Sequence, residues 1–186
     1  INQYVSVPDS DDLSFGDGVT DSPFSVSFWL NTSSTAAAGL VGKYENTVGT
    51  EYLVYFAGSA LRFAIWDESV GSASQIRVLY PDLDVWNHIT VTYDGRGGAD
   101  AMDGAKIYIN GTLQATATGL YIAPPTPASV NVNTENLNAT DHNNIYQSIR
   151  FYNRALSDEE ISYSQEDLVF DDAIWYENDQ LTITTT

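Results

Sequence analysis

Apolar and polar residues alternate along most of this chain with a period of two, the signature of a strand with one face buried. In residues 25–30, Val26, Phe28 and Leu30 fall on one side. In residues 61–66, Leu61, Phe63 and Ile65 face together while Arg62 and Trp66 face away. Residues 88–93 repeat the pattern with Ile89, Val91 and Tyr93 inward, which leaves His88 as a half-exposed structural residue. Turn signals separate these runs. Asn110-Gly111 between residues 106–109 and 112–115 predicts a hairpin, because a type I′ turn needs positive φ twice. Gly58-Ser59 predicts another between Phe56 and Leu61, and longer loops are expected at 8–22, 94–104 and 123–127. One helix start stands out. Ser157 followed by Glu160 is a capping box, and it predicts a few helical turns between Asp158 and Gln165.

Composition supports strands. Ser, Thr and Asn supply 47 of the 186 residues and the aromatics 23, a mixture suited to half-buried pleated sheet. Short strands at this spacing without βα alternation point to an all-β, two-sheet antiparallel jelly-roll sandwich. The predicted jelly-roll domain spans residues 1–166. Residues 167–186, acidic and aromatic at first, form a C-terminal extension or a final strand. With no cysteine, disulfides and thiolate chemistry are excluded. The formal net charge of −18 disfavours nucleic acid and anionic lipid as partners. No apolar run reaches the length of a spanning helix, so no membrane insertion is expected. Because the chain begins at Ile1, it reads as a processed product or a piece of something longer.

The order of its motifs resembles a known family. Residues 23–30 (PFSVSFWL), 40–44 (LVGKY), 86–95 (WNHITVTYDG), 106–111 (KIYING) and 149–161 (IRFYNRALSDEEI) resemble laminin-G-like, concanavalin A-like jelly-roll domains, in the family's own order. The resemblance covers roughly residues 4–163 and implies two antiparallel sheets stacked face to face. Its functions range over glycan binding, adhesion and virion decoration, and the phrasing of residues 17–24 resembles structural proteins of marine bacteriophages. One departure stands out. Many members carry an acidic pair before the strand that reads Ile149-Arg150-Phe151, and this chain has Gln147-Ser148 instead, so a calcium site that such an acid helps to hold would be weaker, rearranged or absent here.

The wider superfamily includes glucanases, so paired acids matter. Retaining glycosidases hold two carboxyls about 5–5.5 Å apart, and the laminarinase-type pattern E-x-D-x-x-E is absent. Glu45, Glu51, Glu68 and Glu135 stand singly, and Pro81 and a turn-like context weaken the pair Asp82 and Asp84. The chain reads as a non-enzyme, with a degenerate glycoside hydrolase as the third reading. A structural Ca²⁺ is the metal hypothesis, with Asp17 and Asp21 as ligands across the Gly18 turn and the Asp94, Asp100 and Asp103 loop second. Against it stands a turn in which each aspartate bonds its own backbone.

Ligand recognition is expected from Trp66, Asp67, Tyr80 and Tyr121, because sugar C–H faces stack on aromatic rings while polar side chains fix the hydroxyls. The same aromatics suit a subunit contact. The expected function is therefore a non-catalytic module binding a glycan or cell-surface polymer, placed outside a cell or on a virion. The alternative is a structural decoration or assembly protein of a phage-like particle, contacting further copies of itself or other virion proteins.

Overall fold

The computed structural model describes residues 7, 10–16, 20–44, 50–67, 72–114, 144–165, 175–177 and 180–182. Strands dominate them: β1 (Phe24–Asn31), β2 (Ala38–Lys43), β3 (Tyr52–Ala57), β4 (Ala60–Asp67), β5 (Ser72–Leu79), β6 (Trp86–Tyr93), β7 (Ala105–Ile109), β8 (Thr112–Leu113) and β9 (Ile145–Tyr152). A short helix, α1 (Asp158–Ser164), follows β9, and β10 (Trp175–Glu177) pairs with β11 (Gln180–Thr182). One sheet has the order β8-β7-β6-β1-β9 and the other β2-β3-β4-β5. Every pairing is antiparallel. This is the two-sheet jelly-roll sandwich that the alternation predicts.

The inward side chains are the predicted ones. Val26, Phe28 and Leu30 of β1 meet Leu61, Phe63 and Ile65 of β4 and Ile89, Val91 and Tyr93 of β6 in one continuous core. Burying each such side chain contributes about 1.5–3 kcal/mol. An aromatic cluster closes one end. Phe15 stacks on Phe24 at 4.4 Å between centroids, and Tyr52, Phe63 and Tyr93 surround Phe24 at 5.0 to 5.9 Å.

Both predicted tight turns have the required conformation: φ is 61° and 63° at Gly58 and Ser59, and 50° and 70° at Asn110 and Gly111. The second turn is tied down further, since Asn110 Oδ1 accepts from His88 N at 2.8 Å. The capping box is complete: Ser157 Oγ accepts from Glu160 N, and the Glu160 carboxylate accepts from Ser157 N. The predicted loops at 8–22 and 94–104 contain 3₁₀ turns at Asp11–Leu13 and Gly98–Gly104, and 123–127 lies outside the described residues. In β9 the register against β1 shifts between Ser27 and Trp29, and Ser148 there has φ of 50°. The Gln147-Ser148 departure thus coincides with a β-bulge.

Candidate functional site

The two sheets differ in what their outward faces offer. On the five-stranded sheet the outward residues of the central strands β1 and β6 are buried almost as deeply as the core, whereas Lys106 of β7 is exposed and Gln147, Arg150 and Tyr152 of β9 are half-buried. Ser25, Ser27, Trp29, His88, Thr90 and Thr92 are all closed off from solvent. Leu156 and Ile161 of the α1 region pack with Tyr108 on this side, and Ser25 Oγ donates to Arg154 O and accepts from Leu156 N. His88, expected half-exposed, is 2% exposed and lies 5.1 Å from the Trp29 ring. Burial, aided by the Arg150 charge, lowers its pKa to about 4, so it is neutral at physiological pH. Alternation assigns a side chain to a face but does not say what covers that face.

The outward face of the four-stranded sheet is built differently. Its central row runs Gly39, Tyr55, Arg62, Arg77 across β2 to β5 in direct register. The next row holds Leu53, Ala64 and Gln75, and Trp66 pairs with Ala73 beyond it. Tyr55, Arg62, Gln75, Arg77 and Trp66 are all half-buried, neither sealed nor fully solvated. Leu53 lies over β2, where a Cβ on Gly42 would meet Leu53 Cδ1 at 2.9 Å and Tyr52 O at 2.4 Å. Only glycine lets that strand approach so closely.

Polar groups on this face are organised around Gln75. Its Oε1 accepts from Tyr55 Oη at 2.5 Å and from Arg62 Nη1 at 3.3 Å. That leaves the amide nitrogen of half-buried Gln75 as a further donor. The Arg62 guanidinium also lies over the Tyr55 ring, 5.9 Å from its centroid. At the far end of the face Trp66 meets Tyr44 edge-on at 5.6 Å. Residues two apart along a strand project from the same side about 6–7 Å apart. Arg62, Ala64 and Trp66 therefore line a stretch of about 13 Å, floored by an alanine.

The predicted site residues are distributed unevenly over this frame. Trp66 stands on the outward face as expected. Asp67 ends β4, with its side chain outside the described set, and Tyr121 and Asp17 lie outside the described residues altogether. Tyr80 turns inward. It is 8% exposed, packs edge-on against Phe56 at 4.9 Å and accepts from Asn87 Nδ2. Its ring is occupied by core packing and has no face to offer a sugar. The reason is parity: Ile76, Val78 and Tyr80 continue one inward series past the end of β5.

Asp21 closes a small loop contact. Its Oδ2 accepts from Tyr93 Oη at 2.5 Å, and Tyr93 Oη in turn accepts from Gly97 N at 2.8 Å. In the second candidate loop the Asp94 carboxylate is bound by Arg96 at 2.5 Å, which holds its pKa below the usual carboxylate value, while the Asp100 side chain is outside the described set. Among the described residues no three His, Asp or Glu side chains converge as a metal site would require.

One buried polar cluster was not anticipated. Lys43 Nζ pairs with Glu51 Oε1 at 3.0 Å, both side chains nearly sealed from solvent. Ser14 Oγ donates to Glu51 Oε1 at 3.1 Å and accepts from Lys43 Nζ, and Phe15 N donates to Glu51 Oε2 at 3.3 Å. Burial raises the Glu51 pKa, against the opposing pull of Lys43 and Ser14. A serine beside a lysine has the composition of a nucleophile and its base. Here the ammonium is paired to a carboxylate and buried with it, so the cluster ties the N-terminal loop to β2 and β3.

Comparison with known proteins agrees with this architecture. A family model described as the concanavalin A-like lectin/glucanases superfamily (Laminin_G_3) matches residues 1–162. The chain belongs to this family. Solved structures with the same fold include the receptor-binding domain of botulinum neurotoxin type G, with a TM-score of 0.53 and 20% identity over 79% of this chain. A second structure of the serotype G binding domain has a TM-score of 0.59 and 19% identity over 86% of this chain. The binding domain of serotype DC in complex with rat synaptotagmin II has a TM-score of 0.54 and 19% identity over 80%. The matches span 38%, 39% and 37% of those three chains, respectively. No curated protein sequence matches the chain.

Proposed function

We propose that this concanavalin A-like chain is a non-catalytic binding module that recognises a glycan or other cell-surface polymer through the outward face of β2–β5. The observation that carries the reading is the composition of that face. Trp66, Tyr55 and Gln75 offer an aromatic platform beside amide and hydroxyl groups on one sheet, while the centre of the outward face of the other sheet, β1 and β6, is closed off from solvent. Of the similar toxin domains, that of type G is a receptor-binding domain and that of serotype DC is in complex with synaptotagmin II. That likeness fits a module working outside a cell. The test is Trp66→Ala. Loss of glycan binding with the melting temperature held within a few degrees supports the reading, and unchanged binding removes Trp66 from the site.

A second reading, assembly into a particle or oligomer, draws on Leu79, Leu83 and Val85, which expose apolar side chains around the β5–β6 connection. Native mass by light scattering separates the two. A stable symmetric oligomer favours assembly, and a monomer leaves this edge and the aromatic face free.

We also propose a structural calcium at the loop containing Asp17 and Asp21. The Asp21 carboxylate, held by Tyr93 beside the Gly97 backbone, supplies the hard oxygen that calcium takes. A calcium-dependent rise in melting temperature that Asp21→Ala abolishes supports it, and an unchanged response in the variant eliminates it.

A further inference from the structure

We infer that the ligand of the β2–β5 face carries an acidic sugar, its carboxylate received by Arg62 and Arg77; this rests on the binding reading above and names its ligand class. The chain has only 7 basic residues against 25 acidic ones, so basic side chains are scarce and carboxylates abundant. The ion pairs among the described residues engage Lys43, Arg96, Lys106 and Arg154. Arg62 and Arg77 take part in none of them. They stand directly opposite each other on β4 and β5, a cross-strand register in which like charges repel. The sheet therefore carries two adjacent guanidiniums at some cost to itself, in a protein with acids to spare for pairing.

The surroundings suit a carboxylate on a sugar. A guanidinium binds a carboxylate through two parallel N–H donors. The Arg62 plane is steadied by Tyr55 and by Gln75 Oε1, while its Nε is buried without a hydrogen-bond partner. A turn of the guanidinium that brings Nε out to a ligand anion would gain a bond that Nε now lacks. The Gln75 amide nitrogen lies alongside to donate to a neighbouring oxygen. Along β4, Trp66 is placed about 13 Å from Arg62, the span of about two to three sugar rings, so one sugar can stack while another is held by its acid.

The overall charge narrows the class further. At physiological ionic strength fields fade over about 8 Å, so the acidic body does not cancel two guanidiniums in direct contact with a ligand. A densely charged polyanion spreads beyond that range and meets the acidic surface, whereas a glycan with isolated carboxylates does not.

The experiment is a glycan array probed with the chain at physiological salt. It carries oligosaccharides with uronic-acid or other sugar-acid residues, each beside its carboxyl-reduced neutral counterpart, with dextran sulfate as a dense sulfate arm. The expected result is retention on carboxylate-bearing glycans, little on the reduced partners and none on dextran sulfate. Arg62→Gln and Arg77→Gln should each weaken binding about 10–100-fold, the worth of one charge-assisted pair. Arg77 has no ion-pair partner to lose, so Arg77→Gln should leave the melting temperature unchanged or slightly higher and serves as the control for folding. Equal retention on the reduced glycans, retention on dextran sulfate alone, or full binding by both variants overturns this inference and leaves the binding reading standing. Binding to no glycan, charged or neutral, overturns both.

Discussion

Replacing Lys43 by methionine tests whether the buried cluster at the aromatic end of the sandwich holds the N-terminal loop in place. Methionine keeps most of the apolar stem and removes the ammonium that lies 3.0 Å from Glu51 Oε1. Breaking one side of a buried pair costs about 3–5 kcal/mol, because the remaining charge stays desolvated. In a domain of this size each kcal/mol shifts the melting temperature by about 2–4 °C, so a fall of about 6–20 °C is expected. The pH dependence has a definite sign. Burial already raises the Glu51 pKa while Lys43 opposes it, so removing Lys43 raises it further. A carboxyl whose folded pKa exceeds its unfolded value of about 4.3 binds more protons when folded between the two values. Stability then falls as pH rises through that window.

The deficit of the variant relative to the parent should therefore be smaller at about pH 5 than at about pH 7.5. Urea unfolding followed by tryptophan fluorescence reads both values. Taking the difference between proteins at each pH removes the general repulsion that both share. A deficit below about 1 kcal/mol, the worth of an exposed pair, would refute the reasoning. So would a deficit that is the same at both pH values.

Three further outcomes are expected. Gly111→Ala should cost about 1–2 kcal/mol by thermal unfolding, because its φ is 70° and the added Cβ meets Gln165 Nε2 at 2.7 Å; a neutral effect would mean that the turn relaxes freely. Ser157→Ala removes the acceptor for Glu160 N and should cost about 1 kcal/mol, with Ser157→Asp restoring most of it as the check on capping. His88, held near pKa 4, should show no ring titration by NMR between neutral pH and about pH 5. The unfolded chain binds that proton near its ordinary 6.5, so His88 erodes stability as pH falls from there toward 4, and His88→Gln should flatten that part of the stability profile.

The inward half of the sandwich was legible in the sequence because a period of two is a local property. Val26, Phe28 and Leu30 needed no partner strand to be placed, and the positive-φ turn at Asn110-Gly111 and the Ser157 cap are likewise local. Tyr80 borders a loop, the position that suggests a ligand contact, but it continues the inward series of Ile76 and Val78, and parity decides its burial. Arg77 was invisible for a different reason. It becomes notable only when register sets it against Arg62, and register between strands is a tertiary fact. The Lys43–Glu51 pair joins the ends of β2 and β3, and sequence gives no sign that either charge is buried. Trp66 was legible as an outward residue, while the Gln75, Tyr55 and Arg62 network that makes its face polar required three strands in register.

A carbohydrate bound on the outward face of β2–β5 would perturb the backbone and side chains of that sheet. The most direct measurement is ¹⁵N-edited NMR of the chain titrated with the best ligand from a glycan array. Shifts are expected only in β3, β4 and β5 around Tyr55, Arg62, Trp66, Gln75 and Arg77, including the Trp66 indole N–H. Shifts centred on the loops around Asp21 and Gly97, or on the edge at Leu79, Leu83 and Val85 with the sheet face unmoved, would contradict binding on this face.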